Sequence, residues 1–402
     1  MSSHDPGVAA ILAARDREGR VLLVRQTGGP FAGEWVLPGG RVEAEESVED
    51  AVRRETREET GMDAFDLGRV ARYEVRGGAT RPFHLHVHLL RGAVRGALRA
   101  EEGSEAMWAT PGAMPLHAVL ERQLVDAGML RGSGAAARER ARAIGISMLA
   151  LGLEPDDRAW YEEVREWLEG AYLSATDPAA QSGKSGGMER WALGRRPIVE
   201  AVDRGGTFLD VGCANGLLME TLTRWAGERG HPIEPYGLDL SERLSSLARA
   251  RYPRWADRIF VGNALTWHPP RRFDLVRTEL EYVPRYRAPE LVEHLLREVV
   301  APGGRLVVCA YGTDVAERVG DTLRRWGYAV AGETEGRDDA GRVLVRGAWI
   351  DVPQRRRGVF VGVGVGVGGG GVSPGLPEGE GDGDGVGHGP PFESGERSVS
   401  QL

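Results

Sequence analysis

Between Gly40 and Met62 the chain sets three glutamates, Glu55, Glu58 and Glu59, three and four positions apart in a charged stretch that favours helix from about Glu46 to Thr60. On a helix this spacing points all three carboxylates from nearly one face. Like charges held so close repel, and a fold that gathers them needs a compensating charge. The usual one is a hard divalent cation bound through oxygen, typically magnesium. Such an ion also bridges phosphate oxygens and acidifies a bound water for attack on phosphorus. Gly61 stands where a glycine ends a helix, and a glycine- and proline-rich loop leads in through residues 28–40. The stretch therefore calls for a domain in which a tight loop runs straight into an acidic helix.

A solvated charged helix, with local pairs such as Arg54 and Glu58, is the competing reading. The register separates the two. The residues run Gly40, five positions, Glu46, seven positions, then Arg54-Glu55-Thr56-Arg57-Glu58-Glu59-Thr60-Gly61-Met62. This resembles, in register, the motif of the Nudix hydrolases, and the approach Glu34-Trp35-Val36-Leu37-Pro38-Gly39 is similar too. The resemblance implies an α/β/α sandwich with a mixed sheet. It implies Mg2+- or Mn2+-dependent hydrolysis of a nucleoside diphosphate linked to another group. It makes Glu55, Glu58 and Glu59 the metal ligands, Arg54 and Glu46 the pair that orients the catalytic helix, Gly40 the close turn and Gly61 the helix end. Thr56 departs from the family's aliphatic residue, which weakens packing beneath the helix without removing a ligand. A catalytic base from a later loop has candidates in Glu101, Glu102 and Glu105, which read equally well as surface acids.

Around this helix, Val8 to Leu12 and Val21 to Val24 are short apolar runs joined by Asp16-Arg17-Glu18-Gly19, which reads as a hairpin. Strand-like runs follow near residues 70–73 and 84–90, and residues 116–130 read as a closing helix. His84, His86 and His88 share one strand face. They suit a metal site or a pocket wall, and equally a plain polar face.

Beyond Gly132-Ser133-Gly134, read as a linker, residues 135–151 and 156–173 look helical. In the second, Trp160, Val164, Trp167, Leu168 and Ala171 fall on one face. Strand-like runs at 207–211, 236–240, 258–261, 273–278 and 305–311 then alternate with amphipathic helices. That alternation marks a parallel sheet covered by helices. Two more strand candidates follow at 328–332 and 343–349.

The first of these strands runs through Asp210-Val211 into Gly212-Cys213-Ala214-Asn215-Gly216. A glycine turn at the carboxyl end of a parallel strand lets a ligand approach the backbone. The next strand ends at Asp239, suited to two ribose hydroxyls, and the third ends near Asn263. Pro302-Gly303-Gly304 introduces the fifth. A dinucleotide-binding fold also uses a glycine turn and an acid after its second strand, but this turn is not Gly-x-Gly-x-x-Gly.

The order instead resembles the class I S-adenosylmethionine-dependent methyltransferases across nearly all of residues 186–352. The resemblance implies a Rossmann-like seven-stranded sheet. It places Asp210, Gly212, Ala214 and Gly216 around the amino-acid end of S-adenosyl-L-methionine, Asp239 at the ribose and Asn263 beside the adenine. Ala214 replaces the usual middle glycine, and Asn263 stands where aspartate is frequent. Glu279, with Glu281 and Tyr282, follows the fourth strand at the cleft edge. There it either assists an oxygen acceptor as a base or stabilises the loop. The aromatic residues Trp160, Tyr161, Trp167, Tyr172 and Trp191 read as a lid or as core.

Together the readings make an α/β chain of two domains: a Nudix domain over 1–131, a linker at 132–135, and a methyltransferase with a helical N-terminal extension over 136–352. A disordered glycine-rich tail over 353–402 completes it, since Val-Gly alternation and Glu/Asp-Gly runs cannot bury enough apolar surface to order themselves. The length of 402 residues suits two domains. A net charge of −8 opposes nucleic-acid binding. The expected partners are a nucleotide-type small molecule and a small methyl acceptor. Two cysteines in apolar runs, no signal sequence and no membrane span suit a cytoplasmic enzyme. The alternative is a methyltransferase whose Nudix domain senses a nucleotide without cleaving it.

Overall fold

In the computed structural model, which describes residues 7–77, 83–99, 105–153, 156–183, 186–311 and 318–354, the first two apolar runs part company. β1 (Gly7–Ala14) enters a five-stranded sheet and β2 (Val21–Arg25) a three-stranded one. The turn between them forms, with Asp16 accepting the backbone N–H groups of Glu18 and Arg20. The hairpin does not form, because past one bridge of Arg15 with Val21 each strand pairs elsewhere. Leu12, Ala13, Leu22 and Leu23 are all buried. Strands apolar on both faces gain more between two layers than in a half-exposed ribbon.

β3 (Trp35–Val36), β2 and β7 (Glu105–Ala109) make the three-stranded sheet. The five-stranded sheet runs β4 (Gly39–Arg41), β1, β6 (Phe83–Arg95), β5 (Asp63–Gly77) and β8 (Ser147–Leu151). It is mixed, with β1 and β6 parallel. α1 (Val48–Thr60) lies against β1, β4 and β5 and buries Ala51, Val52 and Thr56. Ser47 caps it by accepting the Asp50 N–H, and Gly61 ends it at φ 69°, in the left-handed conformation glycine takes at least cost.

α2 (Ala118–Asp126) and α3 (Gly134–Ala143) pack together. The helix expected over residues 135–151 thus stops at Ala143, and residues 147–151 form β8, antiparallel to β5. The stretch expected as a linker holds a helix start instead, Ser133 Oγ accepting the Ala136 N–H. The physical reason is the free outer edge of β5, which takes Met148 and Leu151 into the core. Residues 134–151, expected ahead of the second domain, therefore pack on the first sheet.

The second sheet has the order β11 (Ile259–Val261), β10 (Ile233–Asp239), β9 (Gly206–Val211), β12 (Phe273–Glu279), β13 (Val300–Tyr311), β15 (Val343–Asp351) and β14 (Gly332–Arg337). The first five strands are parallel, and the last two return antiparallel. Helices α4 (Arg158–Leu173), α5 (Gly187–Arg195), α6 (Leu217–Glu228), α7 (Glu242–Arg251), α8 (Ala288–His294) and α9 (Val319–Arg325) accompany it. The central strands are buried on both faces, which is why Phe208, Leu209, Val307 and Val308 form unbroken apolar runs. The strand expected at 328–332 starts only at Gly332, where a Cβ would lie 2.2 Å from the Trp349 ring.

The described residues between Gly7 and Gln354 form one compact unit, and the histidine row explains part of that. The His86 ring meets Tyr286 edge-on, centroids 4.6 Å apart. Glu74 lies 3.0 Å from His84 Nε2 and accepts the Arg285 N–H at 3.1 Å. The Tyr286 hydroxyl donates to Asp157. Burial holds the His86 imidazole down at about 4, so at neutral pH the ring is uncharged. The face read as a metal site, pocket wall or polar surface is a docking face. Both cysteines are buried and free. Apart from Pro353 and Gln354, the expected tail lies outside the described residues, among which no helix is long and apolar enough to cross a membrane.

Candidate active sites

Arg54 organises the first site. Its guanidinium grips Glu46 with two hydrogen bonds of 2.9 and 3.0 Å, reaches the Arg41 carbonyl at 2.9 Å, and touches Glu55 at 2.8 Å and Glu58 at 3.2 Å. One cation thus ties the helix to the loop that precedes it. The hydrogen bonds from Arg54 hold the Glu46 carboxyl below its usual range. Glu59 turns inward and accepts the Gly39 N–H at 2.8 Å. Burial pushes it up to about 7; the Gly39 contact opposes the shift, and Glu55 and Glu58 add to it.

Among the described residues no three acidic, histidine or cysteine side chains are already drawn together as a metal cluster. Repulsion accounts for this, with Arg54 spread between Glu55 and Glu58. The residues nonetheless fit a hard divalent ion. The donors are all oxygen, and Glu59 is a half-buried acid pushed up by burial and by the neighbouring Glu55 and Glu58. The loop also leaves room: a Cβ on Gly40 would lie 2.3–2.6 Å from the Glu55 carboxylate.

Thr56 is fully buried, and its hydroxyl has no partner, the local cost of a polar residue beneath the helix. Glu101 and Glu102 lie outside the described residues. Glu105 pairs with Arg25 at 3.1 Å across the three-stranded sheet.

The second site opens over the carboxyl ends of β9, β10 and β12 as a cavity of about 490 Å³. Asp210, Gly212, Ala214, Asp239, Asn263 and Glu279 all line it. Gly212 and Gly216 both take φ 77°, and Ala214 takes φ 46°. The last is a left-handed alanine, a strain of about 1 kcal/mol. Gly212 allows no side chain, since a Cβ would lie 2.3 Å from the Tyr282 ring.

Asp239 accepts the Ala214 and Ser241 N–H groups at 2.8 Å each. Burial pushes Asp239 up to about 6 and Asp210 up to about 7. Asn263 accepts the Leu265 N–H at 3.0 Å, which sets its side chain. Two buried acids at a glycine turn, each pushed up by burial despite the partners it has, fit a ligand with an ammonium group and hydroxyl donors. S-adenosylmethionine carries both.

Arg277 is the functional residue that the sequence reading passed over. It is 2% exposed. It lies 3.3 Å from Asp210, donates to the Tyr282 hydroxyl oxygen at 2.8 Å and bonds Glu279. Tyr282 in turn donates to Glu279 at 2.7 Å. Burial drives Glu279 up, but Arg277, Glu281, Arg195 and Tyr282 together outweigh it and leave the carboxyl below its ordinary range. A signal was present: an arginine interrupts the apolar run of β12, two positions from Glu279 and so on its face.

A family model described as a NUDIX domain matches residues 4–129, and one described as a methyltransferase domain matches residues 208–304. A putative 8-oxo-dGTP diphosphatase of Bacillus subtilis (strain 168) is 36% identical over 108 residues, 26% of this chain and 66% of that protein. The chain thus spans just under two thirds of that relative. The CTP pyrophosphohydrolase of Escherichia coli (strain K12) is 36% identical over 105 residues, 26% of this chain and 74% of that protein. A solved S-adenosylmethionine-dependent methyltransferase from Geobacter sulfurreducens, in complex with S-adenosyl-L-homocysteine, is 18% identical. It covers 47% of this chain and 98% of its own at a TM-score of 0.31.

Proposed function

The chain belongs to the Nudix family through its first domain and carries a methyltransferase domain behind it, and from this we propose a bifunctional enzyme. The first domain hydrolyses a nucleoside diphosphate linked to another moiety, with magnesium. The second transfers a methyl group from S-adenosylmethionine to a small-molecule acceptor. The observation that carries the proposal is that each site keeps its full set of polar groups in one chain: Glu55, Glu58 and Glu59 on one helix, and Asp210, Asp239 and Asn263 on one cavity wall.

At the first site Glu55, Glu58 and Glu59 would hold the divalent ion. The ion supplies charge neutralisation on the phosphates and an acidified water. Arg54 fixes the helix against the loop through Glu46 and donates to both Glu55 and Glu58. The Gly39 N–H holds the Glu59 carboxylate in place.

The two relatives are named for 8-oxo-dGTP and CTP, so nucleoside triphosphates lead the substrates to try, followed by nucleotide sugars, ADP-ribose and dinucleotides. Magnesium-dependent cleavage, read by mass spectrometry, should fall by at least about 100-fold in Glu58→Gln. Folded protein that cleaves none of them would leave the first domain as a nucleotide sensor.

At the second site Asp210 would hold the ammonium group of the methyl donor, Asp239 its ribose and Asn263 its adenine. The donor supplies a methyl carbon made electrophilic by its sulfonium. Glu279, kept ionised by Arg277, is a weak base. That suits an acceptor which is already nucleophilic and needs mainly alignment.

The two raised acids give a pH prediction. An ammonium group and hydroxyl donors both favour the ionised carboxylates. Affinity for S-adenosylhomocysteine should therefore be greatest above pH 7. It should weaken as pH falls through about 7 for Asp210 and about 6 for Asp239, each group contributing up to about tenfold per pH unit below its own value. In the free protein the same shifts act the other way. The fold binds these protons more tightly than the unfolded chain, so their contribution to stability declines as pH rises from 3.8 towards 7. Calorimetric titration across that window checks the binding trend, and a flat profile would refute it.

A further inference from the structure

The cavity over the second sheet extends well past the residues assigned to the methyl donor. Those residues spread from β9 towards β10 and β11. Arg195, at the end of α5, stands instead over Tyr311 of β13. Its guanidinium carbon is 3.4 Å from the centroid of Tyr311 and 4.9 Å from that of Trp191. Tyr311 ends β13, two strands from β9 in the sheet, or about 10 Å across.

Arg195 is 7% exposed, lines the cavity, and its Nη1 has no hydrogen-bond partner. A buried guanidinium N–H left unmade is costly, and it is the group an anion would satisfy with a charge-assisted bond. Flat surfaces surround it. Trp160 and Tyr172 line the cavity together with Trp191 and Tyr311.

The outer wall comes from the first domain, where Arg138 and Arg142 of α3 and Met148 of β8 line the same space. Arg142 stacks over Trp167 at 4.0 Å. A chamber closed from two sides suits a small molecule rather than a polymer.

We propose that this end of the chamber receives the methyl acceptor, and that the acceptor is a small molecule pairing a flat ring with an acidic group, carboxylate or phosphate, its acid held by Arg195 between Tyr311 and Trp191. The proposal rests on the methyltransferase reading of this site. The flat faces of the aromatic walls recognise the ring by stacking, and Arg195 recognises the acid by charge. The first domain then matters to methyl transfer as a wall of the acceptor site. Its own glutamate helix packs on β1, β4 and β5 of the five-stranded sheet and does not line this cavity.

The test uses the full chain and calorimetric titration. Benzoate and phenyl phosphate serve as acidic ring probes and benzyl alcohol as the neutral one, each with and without saturating S-adenosylhomocysteine. Acidic probes should bind the wild type and the neutral probe should not. Arg195→Gln should weaken the acidic probes by about tenfold or more and leave S-adenosylhomocysteine within about twofold. Arg195→Lys, which keeps the charge but not the fork, should recover part of the loss. Unchanged nucleotide hydrolysis and melting temperature show that each variant is folded.

Neutral and acidic rings binding alike, or no acidic probe binding at all, would overturn the proposal. So would loss of S-adenosylhomocysteine affinity in Arg195→Gln with probe binding unchanged, which would give this cation to the donor instead. Wild-type protein that binds the acidic probes but not S-adenosylhomocysteine would instead overturn the methyltransferase reading on which the proposal stands.

Discussion

Replacing Gly40 with alanine should cost at least about 100-fold in nucleotide hydrolysis while leaving the first domain folded. A Cβ at this position would fall 2.3–2.6 Å from the carboxylate of Glu55. That carboxylate is the far end of a flexible side chain and can swing away, so the loss of stability should be small. The carboxylate can move only by leaving the face it shares with Glu58 and Glu59, and a displaced ligand is what hydrolysis does not tolerate. The neighbouring glycine provides the contrast. A Cβ on Gly39 would fall 2.2 Å from the backbone carbonyl oxygen of Ala10, at φ +145°. Backbone in β1 cannot swing away, so Gly39→Ala should destabilise the domain itself. Paired measurements of hydrolysis and thermal melting separate the two effects. Equal activity in Gly40→Ala and wild type would remove Glu55 from the site.

Arg277→Met should be the most damaging single change in the second domain. Arg277 lies between Asp210 and Glu279, both buried. Its removal deprives two buried carboxylates of their nearest cation, a loss of about 3–5 kcal/mol. For a domain of this size that lowers the melting temperature by about 10 °C or more. The stranded acids would take up protons more readily than in the unfolded chain. The variant should therefore regain stability as pH falls, which helps to distinguish lost charge balance from lost packing. Adding Glu279→Gln should restore part of the stability at neutral pH by removing one of the two charges. Calorimetric melting of the single and double variants reads this directly. A single variant that melts with the wild type would show that the cation is dispensable.

Much of this was legible because the informative residues are local in sequence. The acidic helix needs only the helical repeat to align Glu55, Glu58 and Glu59, and Ser47 and Gly61 mark its ends by short-range capping chemistry. The parallel sheet is announced by apolar runs alternating with amphipathic helices, and the glycine turn after β9 by Gly212 and Gly216. What failed to show were the pairings. Residues 147–151 read as the end of a helix, and they are β8 because β5 has an edge to fill. Likewise, β1 and β2 read as a hairpin, and they separate because each is apolar on both faces.

The sites divide in the same way. The sequence by itself determined which carboxylates stand together on α1 and which acids end β9 and β10, because residue spacing on a regular element is a local property. Only the tertiary structure decided that Arg277 balances Asp210 and Glu279, that the histidine row of β6 docks Tyr286, and that α3 and β8 wall the second cavity. Those contacts join residues far apart in the chain. They are selected by burial and charge compensation once the sheets have met, and no pattern within one segment encodes them.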